Sequence, residues 1–208
     1  YEKATYILQY CNELQADCSS LARVKPPLRI GIPPMLSTVF FPELLIAFQE
    51  EYPEVPVILE EYGSVRACNL VHDDTLDLAL VNMEQYNIDK FHHALLANDQ
   101  VVFCVSKEHP LVRKEEATIQ DMAQIPLIFF NGDSVQNQLL KIRFELEGFT
   151  PHVLMHNSQI YTTLQFLKNN NCGCFLYSSM TDKFPDIVQL PLKPPLFIKI
   201  GMIWKKGK

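Results

Sequence analysis

The sequence predicts an α/β protein built from two units, and three observations carry that prediction. Strand-like runs alternate with amphipathic segments in the order β-α-β-α-β. The order restarts near residue 100, and the last stretch holds two strand-like runs with no helix between them. Such alternation predicts parallel strands joined by right-handed crossovers.

The first segment is a helix by pattern. Ala4, Ile7, Cys11, Leu14, Cys18 and Leu21 fall at alternating spacings of 3 and 4, the a/d seam of a heptad repeat. Polar residues fill the rest of its surface, and Pro26-Pro27 stop it. Such a helix could lie on its own domain, but a strict narrow seam favours pairing with another helix. Residues 1–25 are therefore a linker or dimerisation helix.

Leu28–Ile32 reads as the first strand, Pro33–Ser37 as a turn, and the next helix carries Leu44, Leu45, Ala47 and Phe48 on its apolar face up to Pro53. Val55–Glu61 is a second strand, and Gly63-Ser64 is a turn whose serine can cap a helix over Val65–Val71. Leu76–Val81 is a third strand. In the second unit, Gln100–Val105 and Leu127–Phe130 read as strands around a short helix at Thr118–Ala123. A helix over Gln136–Leu146 ends at Gly148, as helices commonly do at glycine. His152–Met155, a helix over Gln159–Lys168 and Cys172–Tyr177 follow, and Val188–Leu192 and Phe197–Trp204 close the chain.

Composition excludes several functions. With 208 residues, 48% hydrophobic and 20% charged, the chain has a globular rather than disordered profile. No apolar run approaches the ~18 residues that span a bilayer, so no membrane role is expected. A net charge of −6 makes the chain itself a poor nucleic-acid binder, because phosphate contacts need clustered Lys and Arg. The six cysteines, at 11, 18, 68, 104, 172 and 174, are dispersed through apolar segments. That pattern predicts reduced, packed thiols in a cytoplasmic protein. The Cys172-x-Cys174 spacing is wrong for zinc pairs, and alternation with Leu176 suggests strand residues sharing one face. His152 and His156 stand at i, i+4 but in a strand, so no metal site is expected. No nucleophile-elbow, phosphate-loop or dinucleotide motif occurs, so neither catalytic residues nor a cofactor are expected.

Leu28-Arg29-Ile30-Gly31-Ile32, Phe41-Pro42-Glu43-Leu44-Leu45, Tyr52-Pro53-Glu54-Val55, Gly63-Ser64 and Leu76-Asp77-Leu78-Ala79-Leu80 resemble the opening of LysR-type effector domains. The match continues through Leu95-Leu96, Val101–Val105, His109-Pro110-Leu111 and Leu127-Ile128, and the heptad helix is similar to this family's linker. One departure is Lys168–Cys174, which keeps a single glycine where the family has a glycine-rich turn. The resemblance implies two Rossmann-like subdomains of the type 2 periplasmic-binding-protein-like fold, a ligand cleft between them, and two crossover strands as hinge. Mapped here, subdomain I is 28–98 plus 178–208 and subdomain II is 99–177. It also implies a ligand-sensing domain of a transcription regulator. A homodimer using helix faces near 41–51 and 136–147, a higher oligomer in the full-length protein, and promoter binding through a winged helix-turn-helix preceding residue 1 would follow. A solute-binding receptor of a transport system shares the two-lobed architecture and is the alternative; an enzyme on that scaffold lacks its catalytic groups.

Ligands of open α/β sheets bind beyond the carboxyl ends of the strands, where loops enter helix N-termini. By that rule the candidate effector-binding residues are Pro34, Met35, Leu36, Ser37 and Thr38 after the first strand, and Ser64 and Arg66 after the second. Asn82 follows the third, and Asn131, Gly132 and Ser134 come from the second unit. Hydroxyls and free N–H groups there suit a small organic ligand bearing a carboxylate. Arg66 would be its counter-ion or a solvated first-turn residue, and Ser37 and Ser64 could be simple caps. Met35, where the family often has Ser or Thr, suggests an apolar part to the ligand.

Overall fold

The computed structural model describes residues 11–12, 25–84, 86–131, 134–169 and 171–207. Most of the heptad helix expected over 1–25 lies outside those residues, as do Cys18, Gly132 and Asp133.

The first unit begins with β1 (Leu28–Ile32), whose residues pair in parallel with β2 (Val57–Glu61) on one side and β3 (Leu78–Asn82) on the other. Between β1 and β2 the chain forms α1 (Pro34–Val39) and α2 (Phe41–Glu51); α3 (Ser64–His72) links β2 to β3. The turn expected at Pro33–Ser37 is thus the start of a helix, because Pro34 is pre-set for a first helical position. Asp77 locks β1 to the start of β3: its carboxylate accepts from the Arg29 backbone N–H at 2.9 Å and from both ends of the Arg29 guanidinium at 3.2 and 3.1 Å.

The chain then crosses to the second unit along β4 (Phe91–Ser106), continues through β5 (Ala117–Thr118), α4 (Ile119–Met122) and β6 (Leu127–Phe129), and enters α5 (Val135–Leu146). After β7 (Val153–His156), α6 (Ile160–Asn169), β8 (Gly173–Tyr177) and the short α7 (Ser178–Thr181), β9 (Ile187–Lys205) returns. A capping box at Thr118 and Asp121 starts α4. β6 is parallel to β7 and β8, repeating the arrangement of β1 with its neighbours.

One sheet in the order β2-β1-β3-β9-β4-β8-β6-β7 joins the two units, and the long antiparallel pair β4–β9 runs between them. The two closing strands expected at Val188–Leu192 and Phe197–Trp204 are one strand, interrupted where its partner on β4 passes from Leu196 to Pro191. The residues between hold Pro194-Pro195, whose carbonyls accept from the Arg143 guanidinium of α5. Subdomain I was expected to own residues 178–208. The pairing instead sets Ile187–Pro191 beside Val102–Ser106 of β4, so the return crossing falls within β9.

Cys174 and Leu176 share one face of β8, and the opposite face, with Gly173, Phe175 and Tyr177, is buried as well. Phe103, Phe129 and Phe175 form a ring cluster with centroids 5.3 and 5.4 Å apart. A Cβ on Gly173 would lie 2.1 Å from the Phe103 ring, which explains the glycine kept at that point. Cys68, Cys104, Cys172 and Cys174 are buried, with burial pushing the Cys68 thiol up to about 12, whereas Cys11 is exposed. Among the described residues no helix is long and apolar enough to cross a membrane.

Candidate functional site

Between the two units lies a cavity of about 520 Å³. Its walls are the carboxyl ends of strands from both. β1 leads to Pro33, Pro34 and Met35; β2 ends in Glu61 and leads to Tyr62, Gly63, Ser64 and Arg66; β3 ends in Asn82. Opposite, β6 leads to Phe130, Asn131, Ser134, Val135 and Gln136, β7 to Ser158, and β8 ends in Tyr177. Parallel strands place these ends on one edge, and the antiparallel crossover turns the two edges toward each other.

The floor is polar and buried. Ser64, 5% exposed, does not cap its helix; its Oγ accepts from the Asn82 backbone N–H at 2.9 Å and ties α3 to the end of β3. Asn82, 2% exposed, accepts from the Glu84 N–H through Oδ1 at 3.0 Å, and its side chain opposes part of the upward shift that burial gives the Tyr177 phenol. Gln136, 1% exposed, donates from Nε2 to the Phe175 carbonyl at 3.0 Å, and its Oε1 has no partner. Burial raises the Tyr177 phenol above its ordinary value and keeps it neutral. At the exposed rim the Arg66 guanidinium stacks 4.7 Å over the Tyr62 ring, and the Tyr62 hydroxyl donates to Glu60.

Of the residues expected from sequence, Pro34, Met35, Ser64, Arg66, Asn82, Asn131 and Ser134 line this cavity. Leu36 does not: it is fully buried in the hydrophobic core, because successive helical residues turn by roughly 100°, so that Pro34 and Met35 line the cleft and Leu36 turns away from it. Ser37 and Thr38 also lie outside the lining. Ser37 sits between the Pro34 carbonyl at 2.8 Å and Glu61 Oε1 at 2.9 Å, and Thr38 donates to the Pro34 carbonyl at 3.1 Å. Nor is the α1 terminus a rich donor site, since Pro33 and Pro34 have no N–H. Gly132 lies outside the described residues. Ser134 caps α5, accepting from the Asn137 N–H at 3.5 Å. Sequence reasoning missed Gln136, Ser158 and Tyr177. The strand-end rule would have found the last two had it been carried to the strands at 153–156 and 173–177. Among the described residues there is no cluster of His, Cys, Asp and Glu able to hold a metal.

A family model for the LysR substrate binding domain matches residues 22–208. The chain belongs to that family. Among its relatives, the LysR-type chain is 29% identical over 188 residues to the HTH-type transcriptional regulator YwbI of Bacillus subtilis (strain 168), covering 88% of this chain and 62% of YwbI. It spans about three fifths of the length of the curated relatives it matches. The regulatory domain of CcmR from Synechocystis PCC6803, solved with 2-PG, superposes with a TM-score of 0.76 at 16% identity, covering 88% of this chain and 89% of that one. The effector binding domain of QuiR, solved with shikimate, gives 0.71 at 15% identity, with 88% of each chain covered. At these identities the likeness shows the fold, the periplasmic-binding-protein-like arrangement expected from the sequence.

Proposed function

We propose that this LysR-family domain senses a small organic acid in the cleft between its units and transmits binding to a DNA-binding domain of the same regulator. The single observation that supports it most is the cavity itself. It is enclosed by strand ends of both units, and its floor carries buried polar groups. Buried polar groups ordinarily have partners. A ligand held by both units favours one relative arrangement of them over another, and that differential binding is what a regulatory domain can pass on.

In this reading Ser64, Arg66 and Asn82 of the first unit and Asn131, Ser134 and Gln136 of the second face the ligand, with Met35 and Phe130 packing against its apolar part. The role is sensing rather than catalysis. CcmR and QuiR, whose solved domains carry 2-PG and shikimate, bind anionic small molecules in the same fold, which favours a regulator's effector over a transported solute. The domain acts as a homodimer in a cytoplasmic regulator, and promoter contact belongs to a winged helix-turn-helix outside these 208 residues. Support for pairing comes from α2, which fully buries none of its residues and leaves Ile46 60% exposed, and from Leu146 at the end of α5, 81% exposed.

A thermal-shift screen of small organic acids, followed by calorimetry, tests the cleft. Arg66→Ala and Ser64→Ala should each weaken the best acid found by about 0.5–3 kcal/mol, while Thr38→Ala should leave it unchanged. Equal binding by all four proteins would place the ligand elsewhere.

A further inference from the structure

A second cavity, of about 240 Å³, lies in the first unit between α2 and the sheet. Side chains of a strand alternate between its faces, and paired neighbours share a face. Leu28 and Ile30 of β1 therefore stand on the same side as Val57, which pairs with Leu28, and Leu78, which pairs with Ile30. Leu80 follows on β3, and Met202 pairs with it from β9. The opposite wall is α2, with Phe41, Leu44, Leu45 and Phe48 in a helical stripe at i, i+3, i+4 and i+7. Such a stripe ordinarily closes onto the sheet below it. Here α2 fully buries none of its residues, and of the six sheet residues only Ile30 and Leu80 are buried.

This space is separate from the cleft, and no described residue lines both. The cleft takes the carboxyl ends of β1, β2 and β3, whereas this cavity begins at their first residues, Leu28, Val57 and Leu78. The structure describes the five elements around it along their whole length, and the side chains they turn to it are all apolar. The backbone offers little more, since β1 pairs on both sides and β3 lies between β1 and β9. A water there would find few partners, and an ion would lose its hydration without a counter-charge. A second protein is a poor occupant too. Stable interfaces take roughly 20–30 residues a side, whereas ten line this cavity and two of those are buried. A dry cavity of about 150 Å³ lined by Leu, Ile and Phe admits benzene, and the space here is larger with the same kinds of side chain.

We propose that the cavity under α2 is a second ligand site, which takes a small uncharged aromatic molecule. The volume suits one ring with a short substituent or two fused rings. Phe41 and Phe48 favour an aromatic occupant over an aliphatic one, because rings packed edge to face attract each other beyond the area they bury. The Met202 sulfur adds a further favourable contact with a ring. The site does not depend on the cleft reading, and it asks for the opposite chemistry: an uncharged ring instead of an organic acid.

The test uses the whole 208-residue chain, isotope-labelled at its methionine methyls for NMR, because Met202 lines this cavity and Met35 lines the cleft. Met202→Leu and Met35→Leu assign the two signals. The probes are toluene and benzoate, which share a ring and differ in charge. Toluene should shift the Met202 signal saturably and leave Met35 in place, and benzoate should act at Met202 at least about tenfold more weakly. Val57→Phe, which fills part of the space, should weaken toluene about tenfold or more; the wild-type comparison stands even if that variant folds poorly. Benzoate equal to toluene at Met202, a toluene shift at Met35 instead, or a Met202 shift that never saturates would overturn the proposal. So would an unmoved Met202, which would mean that another part of the chain already fills the space. Toluene binding that weakens as protein concentration rises would assign the space to a second copy and overturn it as well. None of these outcomes bears on the cleft reading.

Discussion

Ser64→Ala separates what the cleft does for the fold from what it does for a ligand. The substitution removes one oxygen from a side chain 5% exposed and leaves the Asn82 backbone N–H, which it holds at 2.9 Å, without an acceptor. Lost packing is negligible for so small a group, so the effect is the unmet N–H. A buried donor left without a partner costs about 1–3 kcal/mol. Because Ser64 lines an open cavity, water can reach part of the vacated space, which places the expectation near about 1.5 kcal/mol. For a chain of this size that lowers the melting midpoint by roughly 3–6 °C. Ser37→Ala is the comparison, since the Ser37 hydroxyl is only half-buried and touches groups that solvent can serve; it should shift the midpoint by about 1 °C or less. Calorimetric scans without ligand give both numbers. A Ser64→Ala midpoint indistinguishable from wild type would show that the N–H finds another acceptor and that Ser64 is not a tie between α3 and β3.

Gly173→Ala should destabilise by about 3 kcal/mol in urea titration, because its Cβ would meet the fully buried Phe103 ring at 2.1 Å; adding Phe103→Leu should recover part of that loss, and additive effects would contradict the clash. His109, 3% exposed, accepts from the Leu111 N–H at 3.1 Å, and burial lowers its pKa from the usual 6.5. A depressed imidazole makes stability full above the unfolded value near ~6.5 and loses it as pH falls toward the folded value. Melts from about pH 7.5 to about 5.5 should therefore fall more steeply in wild type than in His109→Asn, and parallel profiles would refute it. Sedimentation at tens of micromolar (~10–50) should show a dimer, and Ile46→Lys, at a position 60% exposed on α2, should shift it toward monomer; a wild-type monomer would remove the pairing proposal.

The parallel units were legible because each strand is a local pattern: Leu28–Ile32 and Leu76–Val81 were read from apolar residues, and Ile30, Ile32, Leu80 and Val81 are buried. The crossover was less so. Residues 92–96 of β4 are exposed along their length, and they are strand only because their backbone pairs with residues 201–204 of β9, over a hundred positions away. No periodicity records such a partner. The same divide runs through the cleft. Strand-end loops are found by local reasoning, so Ser64, Asn82 and Asn131 were accessible to it. Treating 33–37 as an open turn, however, exposed every residue in it, whereas a helix there sends Leu36 to the core and Met35 to the cavity. Gln136 marks the limit. By sequence it is one polar residue in the first turn of a helix, and solvent would be its ordinary neighbour. The Phe175 carbonyl buries it and fixes which of its two polar atoms is left over. The burial of Gln136 is therefore written in a hydrogen bond between distant segments, and the sequence discloses it only once those segments have been brought together.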